Sequence, residues 1–369
     1  MKKIGHAGSV CNRGLLKDFN RRVLALPQLR PLLNLRLPPL LPFVFIRVPS
    51  WAILLLLLVG CNAPSLLITP VRNTSALDEI QVMPGKGWAK EKIAIVEVEG
   101  MLANVQTGGL LGAGENPLSL FTQQLERAEK DASVKAVVLR INSPGGTVTT
   151  SDTMYEQVRQ FRAKTKKPVV ASSQEVMASG AYYVACGADK IVVHPTSVVG
   201  SIGVIFTTFE VEGGLKMLGI RTNTIKSGEL KDMGSPLHAM SPLERAVIQN
   251  LVDEYFARFK GVVVDSRKLT NVDHITTATD GRVFSGAQAV ALGLADQTGS
   301  LDDAITLAQQ LAGTSNARVV LYKRPFGYSG SIYASTHSPT PRSDSNPFEN
   351  IPGASQLFMP TGFYYVWKP

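Results

Sequence analysis

Continuous apolar runs rich in Val and Ile recur along the chain at IAIVEVEG (93–100), KAVVLRI (135–141), PVVASS (168–173) and KIVVH (190–194). Runs of this length without polar alternation predict strands buried on both faces. Between them the apolar positions change to a helical spacing. From Asn116 to Lys130 they are Leu118, Leu120, Phe121 and Leu125, which fall on one side of a helix. A second helix is expected from about Ser151 to Lys164. The longest runs from Pro242 to Val263, with Leu243, Val247, Leu251, Tyr255 and Phe259 along one stripe. Ser241 and Glu244 stand three apart at its start, as a capping box requires. RTNTIKS (221–227) reads as another strand and 281–296 as a turn and a helix. Ser300 to Ala312 reads as the last helix, and ARVVLYK (317–323) as an edge strand. Strand–helix alternation at this spacing predicts an α/β fold with a largely parallel sheet covered on both faces.

The flanks follow other rules. Residues 1–37 are basic and leucine-rich, and an apolar stretch from Pro38 is broken by Arg47 before Val48 to Val59. About a dozen mostly apolar residues after a basic region fit a secretory signal better than a membrane-spanning helix of ~20 residues. Leu58-Val59-Gly60-Cys61 then resembles a bacterial lipobox, which implies a lipidated Cys61 at the mature N-terminus. An uncleaved anchor built from 38–60 is the alternative. Either way the basic flank stays inside and the remainder is exported, at a bacterial cell membrane. Residues 62–91, rich in Pro, Ser, Thr, Gly and Asn, read as a tether. The folded domain is expected over 92–325, and 326–369 as a disordered Ser/Pro-rich tail.

Charge and cysteine usage narrow the classes. The formal net charge is +9, but residues 1–50 hold nine Lys/Arg and one acid, which leaves +1 for the rest. The basicity belongs to the leader, so a nucleic-acid partner is not expected. The three cysteines, Cys11, Cys61 and Cys186, are too few and too scattered for a disulfide framework or a zinc site.

The candidate chemistry centres on VMASGAYYVA (176–185). Ser179 lies between small neighbours ahead of a helix-permitting run, so the N–H groups of Ser179 and Gly180 would stand at the partly positive end of a helix. An acyl-transfer anion is stabilised in such a place. From this stretch alone, a serine at a helix start reads first as an N-cap. Pro144-Gly145-Gly146, after the second buried strand, could bring backbone N–H groups close to a ligand, or could be a simple turn. No histidine has a distinctive setting: His6 and His337 lie in the flanks, His194 ends a strand, and His238 and His274 sit in loops. Lysine is the other activator of serine, and IKSGELKDMGSP (225–236) offers Lys226 and Lys231. An ordinary lysine is protonated at neutral pH (reference pKa ~10.4) and needs burial or nearby donors to act as a base.

The ordered set INSPGG, MASGAYYVACGADKI, GSIGV, IKSGELKDMGSP and GRVFSGAQAVALGLADQTGSLDDAI resembles the signal peptide peptidase A family of serine–lysine proteases over about residues 92–313. The resemblance implies the crotonase/Clp-protease fold, a parallel-sheet spiral with surrounding helices. It implies Ser179 as nucleophile and Lys231, 52 residues on, as general base, with Lys226 as second choice. Ser201 matches the serine that orients the lysine, and Gly145 and Gly180 match the oxyanion-hole positions. With one copy of the domain the chain resembles the family's short form, in which neighbouring copies in a homo-oligomeric ring share each active site. The implied substrates are peptides, cleaved signal peptides among them, with no cofactor and no metal. Two rivals share the fold: an acyl-CoA enzyme, which would need neither Ser179 nor Lys231, and a non-catalytic scaffold. A Clp-type triad would place a histidine about two dozen residues after the serine, where SIGVIF (201–206) has none.

Overall fold

Strands buried on both faces organise the protein. The computed structural model describes residues 77–85, 87, 89–105, 115–324, 332 and 362–367. Cys61, the apolar leader and most of the tether and tail lie outside the described residues. In chain order the first strands are β1 (Asp78–Met83), β2 (Lys92–Leu102), β3 (Val134–Thr147), β4 (Val169–Ala178) and β5 (Lys190–Val193). Short strands follow: β6 (Val198–Gly200), β7 (Ile205–Thr207), β8 (Val283–Ser285) and β9 (Gln297–Thr298), then β10 (Arg318–Lys323) and β11 (Gly362–Val366). The helices are α1 (Pro117–Lys130), α2 (Val148–Thr165), α3 (Gly180–Ala185), α4 (Glu212–Met217), α5 (Pro242–Arg267), α6 (Val272–Ala278), α7 (Gly286–Ala291) and α8 (Leu301–Leu311).

The main sheet has the order β1-β10-β2-β3-β4-β5-β9, parallel throughout except for the antiparallel pair of β1 with β10. Strand pleating explains why the apolar runs are continuous. Along β2, Ile93 and Ile95 face a core closed by Leu301, Ala304, Ile305 and Ala308 of α8. Ala94, Val96 and Val98 face the opposite core, which holds Phe121 and Leu125 of α1 and Val158 and Phe161 of α2. Successive Cβ atoms point to opposite faces, so a sheet covered on both sides needs an apolar residue at every position. Each fully buried Ile or Leu contributes ~1.5–3 kcal/mol.

Helix starts follow local chemistry. Asn116 accepts from Ser119 N at α1 and Thr147 from Thr150 N at α2. The capping box of Ser241 and Glu244 is present at α5.

The structure corrects six expectations. Residues 221–227 form no strand; every one is exposed, and none has a ladder partner. ARVVLYK is not an edge, because β10 lies between β2 and β1. The true edge strand, β1, falls inside the stretch read as tether. The tail carries β11, and β8 lies within 281–296, where the sequence suggests only a turn and a helix. On α5, Leu243 is exposed, and the buried face is Glu244, Ile248, Phe259 and Val263. Val247, Leu251 and Tyr255 are half-buried and Phe259 is buried, so the predicted stripe fails only at Leu243.

Candidate active site

β4 delivers the chain to Ser179, and β6 fixes it there. Ala178 pairs in parallel with Gly200, and Ser179 N donates to the Gly200 carbonyl at 2.7 Å. Tyr183 N then donates to the Ser179 carbonyl at 2.9 Å, which closes the first turn of α3. Ser179 is 1% exposed, has φ 53° and ψ −118°, and makes no side-chain capping hydrogen bond. An N-cap serine takes extended dihedrals and accepts from the helix's first N–H groups; Ser179 does neither. A non-glycine residue held at such dihedrals costs ~1–3 kcal/mol and persists only where its surroundings impose it. The cap reading therefore fails, and the strain places a buried hydroxyl at a sharp strand-to-helix turn.

The end of β3 makes the opposite wall. Gly145 has φ 99°, and a methyl group there would collide with the Tyr365 carbonyl oxygen and come within 2.6 Å of Gly180 N. At Gly180 a methyl group would collide with Ser151 Oγ and lie 3.0 Å from that same carbonyl oxygen. The two glycines thus face each other with a backbone carbonyl from β11 over both. Gly180 opens α3, where N–H groups have no intrahelical partner. The Gly145 N–H is engaged: it donates to Ser143 Oγ at 3.1 Å, and that hydroxyl donates to the Gly100 carbonyl at 2.6 Å.

Ser201 is brought close through its backbone. It follows Gly200, whose carbonyl holds Ser179, and its own N donates to the Arg282 carbonyl at 2.8 Å. Its φ of 51° and 9% exposure repeat the pattern of a constrained, nearly buried hydroxyl.

Lys231 is not brought to Ser179 within the chain. It is exposed, and among the described residues no hydrogen bond or ion pair joins it to Ser179 or Ser201. Lys226, by contrast, is committed: its Nζ lies 2.6 Å from Asp232 Oδ1, and its hydrogen bond holds the Asp232 carboxyl below its usual range. Among the described residues no histidine bonds to Ser179; His194 Nδ1 pairs with Thr196 Oγ1 at 2.9 Å. Asp232, His238 and Glu244 hold ligand atoms within 4.8 Å of one another and could take a cation. Each is already engaged, Asp232 by Lys226, His238 Nδ1 by the Ala239 carbonyl, and Glu244 by the Ser241 N–H.

Sequence reasoning missed the support beneath the serine. The Tyr183 hydroxyl donates to Asp152 Oδ1 at 2.6 Å, and Arg258 contacts the same carboxylate at 2.7 and 2.9 Å. Burial, and then the Asp152 carboxylate, pushes the Tyr183 hydroxyl far above its usual value. The trio ties α2, α3 and α5 together under Ser179. Asp152 and Arg258 lie on the polar sides of their helices, so nothing in the periodicity marked them.

A strained serine after a central strand, facing a glycine loop in a parallel sheet, defines a hydrolase of the crotonase/Clp-protease fold class. Residues 125–315 match the profile of Peptidase family S49, and the chain belongs to that family; it is a peptidase. It is 37% identical over 217 residues to "Putative protease MJ0651" of Methanocaldococcus jannaschii, covering 59% of this chain and 69% of that protein. It is 34% identical over 238 residues to "Putative signal peptide peptidase SppA" of Enterococcus faecium, covering 64% and 69%. Against "Protease 4" of Salmonella typhi it is 35% identical over 221 residues, 60% of this chain and 34% of that protein.

Proposed function

We propose that the protein is a membrane-associated serine endopeptidase that cleaves peptides, cleaved signal peptides among them, through Ser179 and a Lys231 supplied by a neighbouring copy of the chain. The observation that carries the reading is the conformation of Ser179, whose strain has no capping role to explain it. Ser179 Oγ attacks the peptide carbonyl carbon, and the Lys231 amine takes its proton and returns it to the leaving amine. The N–H groups of Gly180 and Gly145 hold the oxyanion, the latter after turning from Ser143. Ser201 orients the lysine.

Two features support a base from another copy. Among the described residues the Lys231 amine has no partner, whereas that of Lys226 does. The segment carrying it also leaves Met217, Leu218 and Ile225 at 90%, 75% and 95% exposure, apolar surface of the kind that a second subunit covers. The N-terminal segment, through Cys61 or an uncleaved anchor, would hold the ring at the membrane with its peptidase domain on the exported side.

Mixing Ser179→Ala with Lys231→Ala subunits tests the arrangement. Each variant alone is expected to be inactive, and exchange of subunits to restore complete sites and peptide hydrolysis. Mixed assemblies that form and stay inactive would place the dyad in one chain and overturn the sharing.

A further inference from the structure

The segment that carries Lys231 meets the start of α5 at three side chains. Asp232 follows Lys231 directly, His238 lies in the approach to α5, and Glu244 stands in its first turn. Each is fixed by one of its polar atoms. Lys226 Nζ donates to Asp232 Oδ1 at 2.6 Å, His238 Nδ1 donates to the Ala239 carbonyl at 3.0 Å, and the Ser241 N–H donates to Glu244 Oε2 at 2.7 Å. Their other atoms turn towards one another. His238 Nε2 lies 3.4 Å from Asp232 Oδ2 and 3.9 Å from Glu244 Oε1, and the three side chains bring one ligand atom each within 4.8 Å of the others.

The tautomer decides what belongs between them. A carbonyl only accepts, so a neutral His238 ring carries its proton on Nδ1, and Nε2 presents a lone pair to two carboxylates. Nε2 is shut off from solvent and has no hydrogen-bond partner among the described residues, and the Glu244 side chain is only 4% exposed. Lys226 neutralises one carboxylate, which leaves a buried acceptor facing net negative charge. A cation among the three atoms relieves that conflict. A second ring proton is one such cation, but 3.4 and 3.9 Å are too long for an N–H···O bond of about 2.7–3.2 Å. Two ligands on a tetrahedral zinc, by contrast, stand about 3.3–3.6 Å apart at bonds of ~2.0–2.2 Å. The bonds to Lys226, the Ala239 carbonyl and the Ser241 N–H are the outer contacts that orient metal ligands.

We propose that Asp232 Oδ2, His238 Nε2 and Glu244 Oε1 bind a divalent cation of the zinc class, with water as fourth ligand, and that the ion ties the Lys231 segment to α5. Imidazole with carboxylates suits zinc, whereas magnesium and calcium take oxygen ligands. None of the three side chains bonds to Ser179 among the described residues, so the ion is assigned no step in hydrolysis. The assignment uses the catalytic role of no residue, and it stands apart from the choice of base.

Zinc itself is the probe, on the full-length protein. After stripping with a chelator, equilibrium dialysis should return one zinc per chain, and cobalt(II) in its place should give the strong visible absorption of a four-coordinate site. Zinc should also raise Tm, because it binds only the folded chain. Glu244→Gln keeps an acceptor for the Ser241 N–H, Asp232→Asn keeps one for Lys226, and His238→Asn keeps a donor for the Ala239 carbonyl, so each variant retains its outer contact and loses its ligand. Each should weaken zinc binding at least about tenfold and lose the rise in Tm, while metal-free unfolding stays close to that of metal-free wild type. A wild-type protein that retains no zinc would leave the proton as the only cation there and overturn the proposal. Zinc held equally by the three variants would put the ion elsewhere and overturn it too.

Discussion

Replacing Ser179 with glycine should make the protein inactive and more stable at once. At φ 53° and ψ −118° a serine carries ~1–3 kcal/mol of backbone strain, which glycine does not feel. Glycine gives back ~0.5–1 kcal/mol through the greater freedom of its unfolded chain. The balance is a gain of about 0–2.5 kcal/mol. Ser179→Ala keeps the strain and removes a buried hydroxyl with no capping bond, so it should change stability little. The cap alternative gives another order: alanine would cost ~1 kcal/mol and glycine a few tenths. Equilibrium urea unfolding of the three proteins, with peptide hydrolysis measured on the same samples, separates the two. A glycine variant less stable than wild type, with alanine worse still, would refute the strain argument and return Ser179 to an ordinary helix start. For a domain of this size, ~1 kcal/mol corresponds to a shift of about 2–4 °C in Tm, within reach of a thermal scan.

Two further outcomes are expected. Lys231→Ala should abolish hydrolysis, whereas Lys226→Ala, which breaks a solvent-facing ion pair with Asp232, should cost little stability and spare most activity; the reverse pattern, read by peptide assay, would move the base to Lys226. At Asp131 burial pulls the carboxyl pKa up, but hydrogen bonds from Lys92 and Ser133 outweigh it and hold the value at about 2, against 3.8 for a free group. The folded value is the lower one, so this stabilisation is present above about pH 4 and is lost as pH falls towards 2. Solvent reaches part of the pair, so Asp131→Asn should be destabilised by ~1 kcal/mol at neutral pH once screening is allowed for, with the gap to wild type closing near pH 2 in urea titrations.

How much of this was legible in the sequence depended on how local each signal was. The runs 93–100, 135–141 and 168–173 identified β2, β3 and β4 because a strand buried on both faces needs apolar residues at every position. The box at Ser241 and Glu244 marked the start of α5 because capping involves residues three apart. RTNTIKS failed as a strand because β-like composition without a neighbouring strand leaves backbone groups to water, and no described strand lies beside 221–227. β1 was hidden in a polar stretch and β11, itself an aromatic run, in a tail judged by its overall composition: their pairing partners, β10 for the first and β3 with β7 for the second, lie far away along the chain. The site divides along the same line. Ser179 could be singled out from its small neighbours, but its strain could not, because it depends on the Gly200 carbonyl holding its amide from another strand. The Asp152–Tyr183–Arg258 trio and the packing of the Tyr365 ring on Tyr183 and Phe259 are contacts between separate elements, and no window of sequence contains them. Lys231 is a further case: no described residue of its own chain engages its amine, so on the proposed reading only an assembly of copies can bring it to a serine.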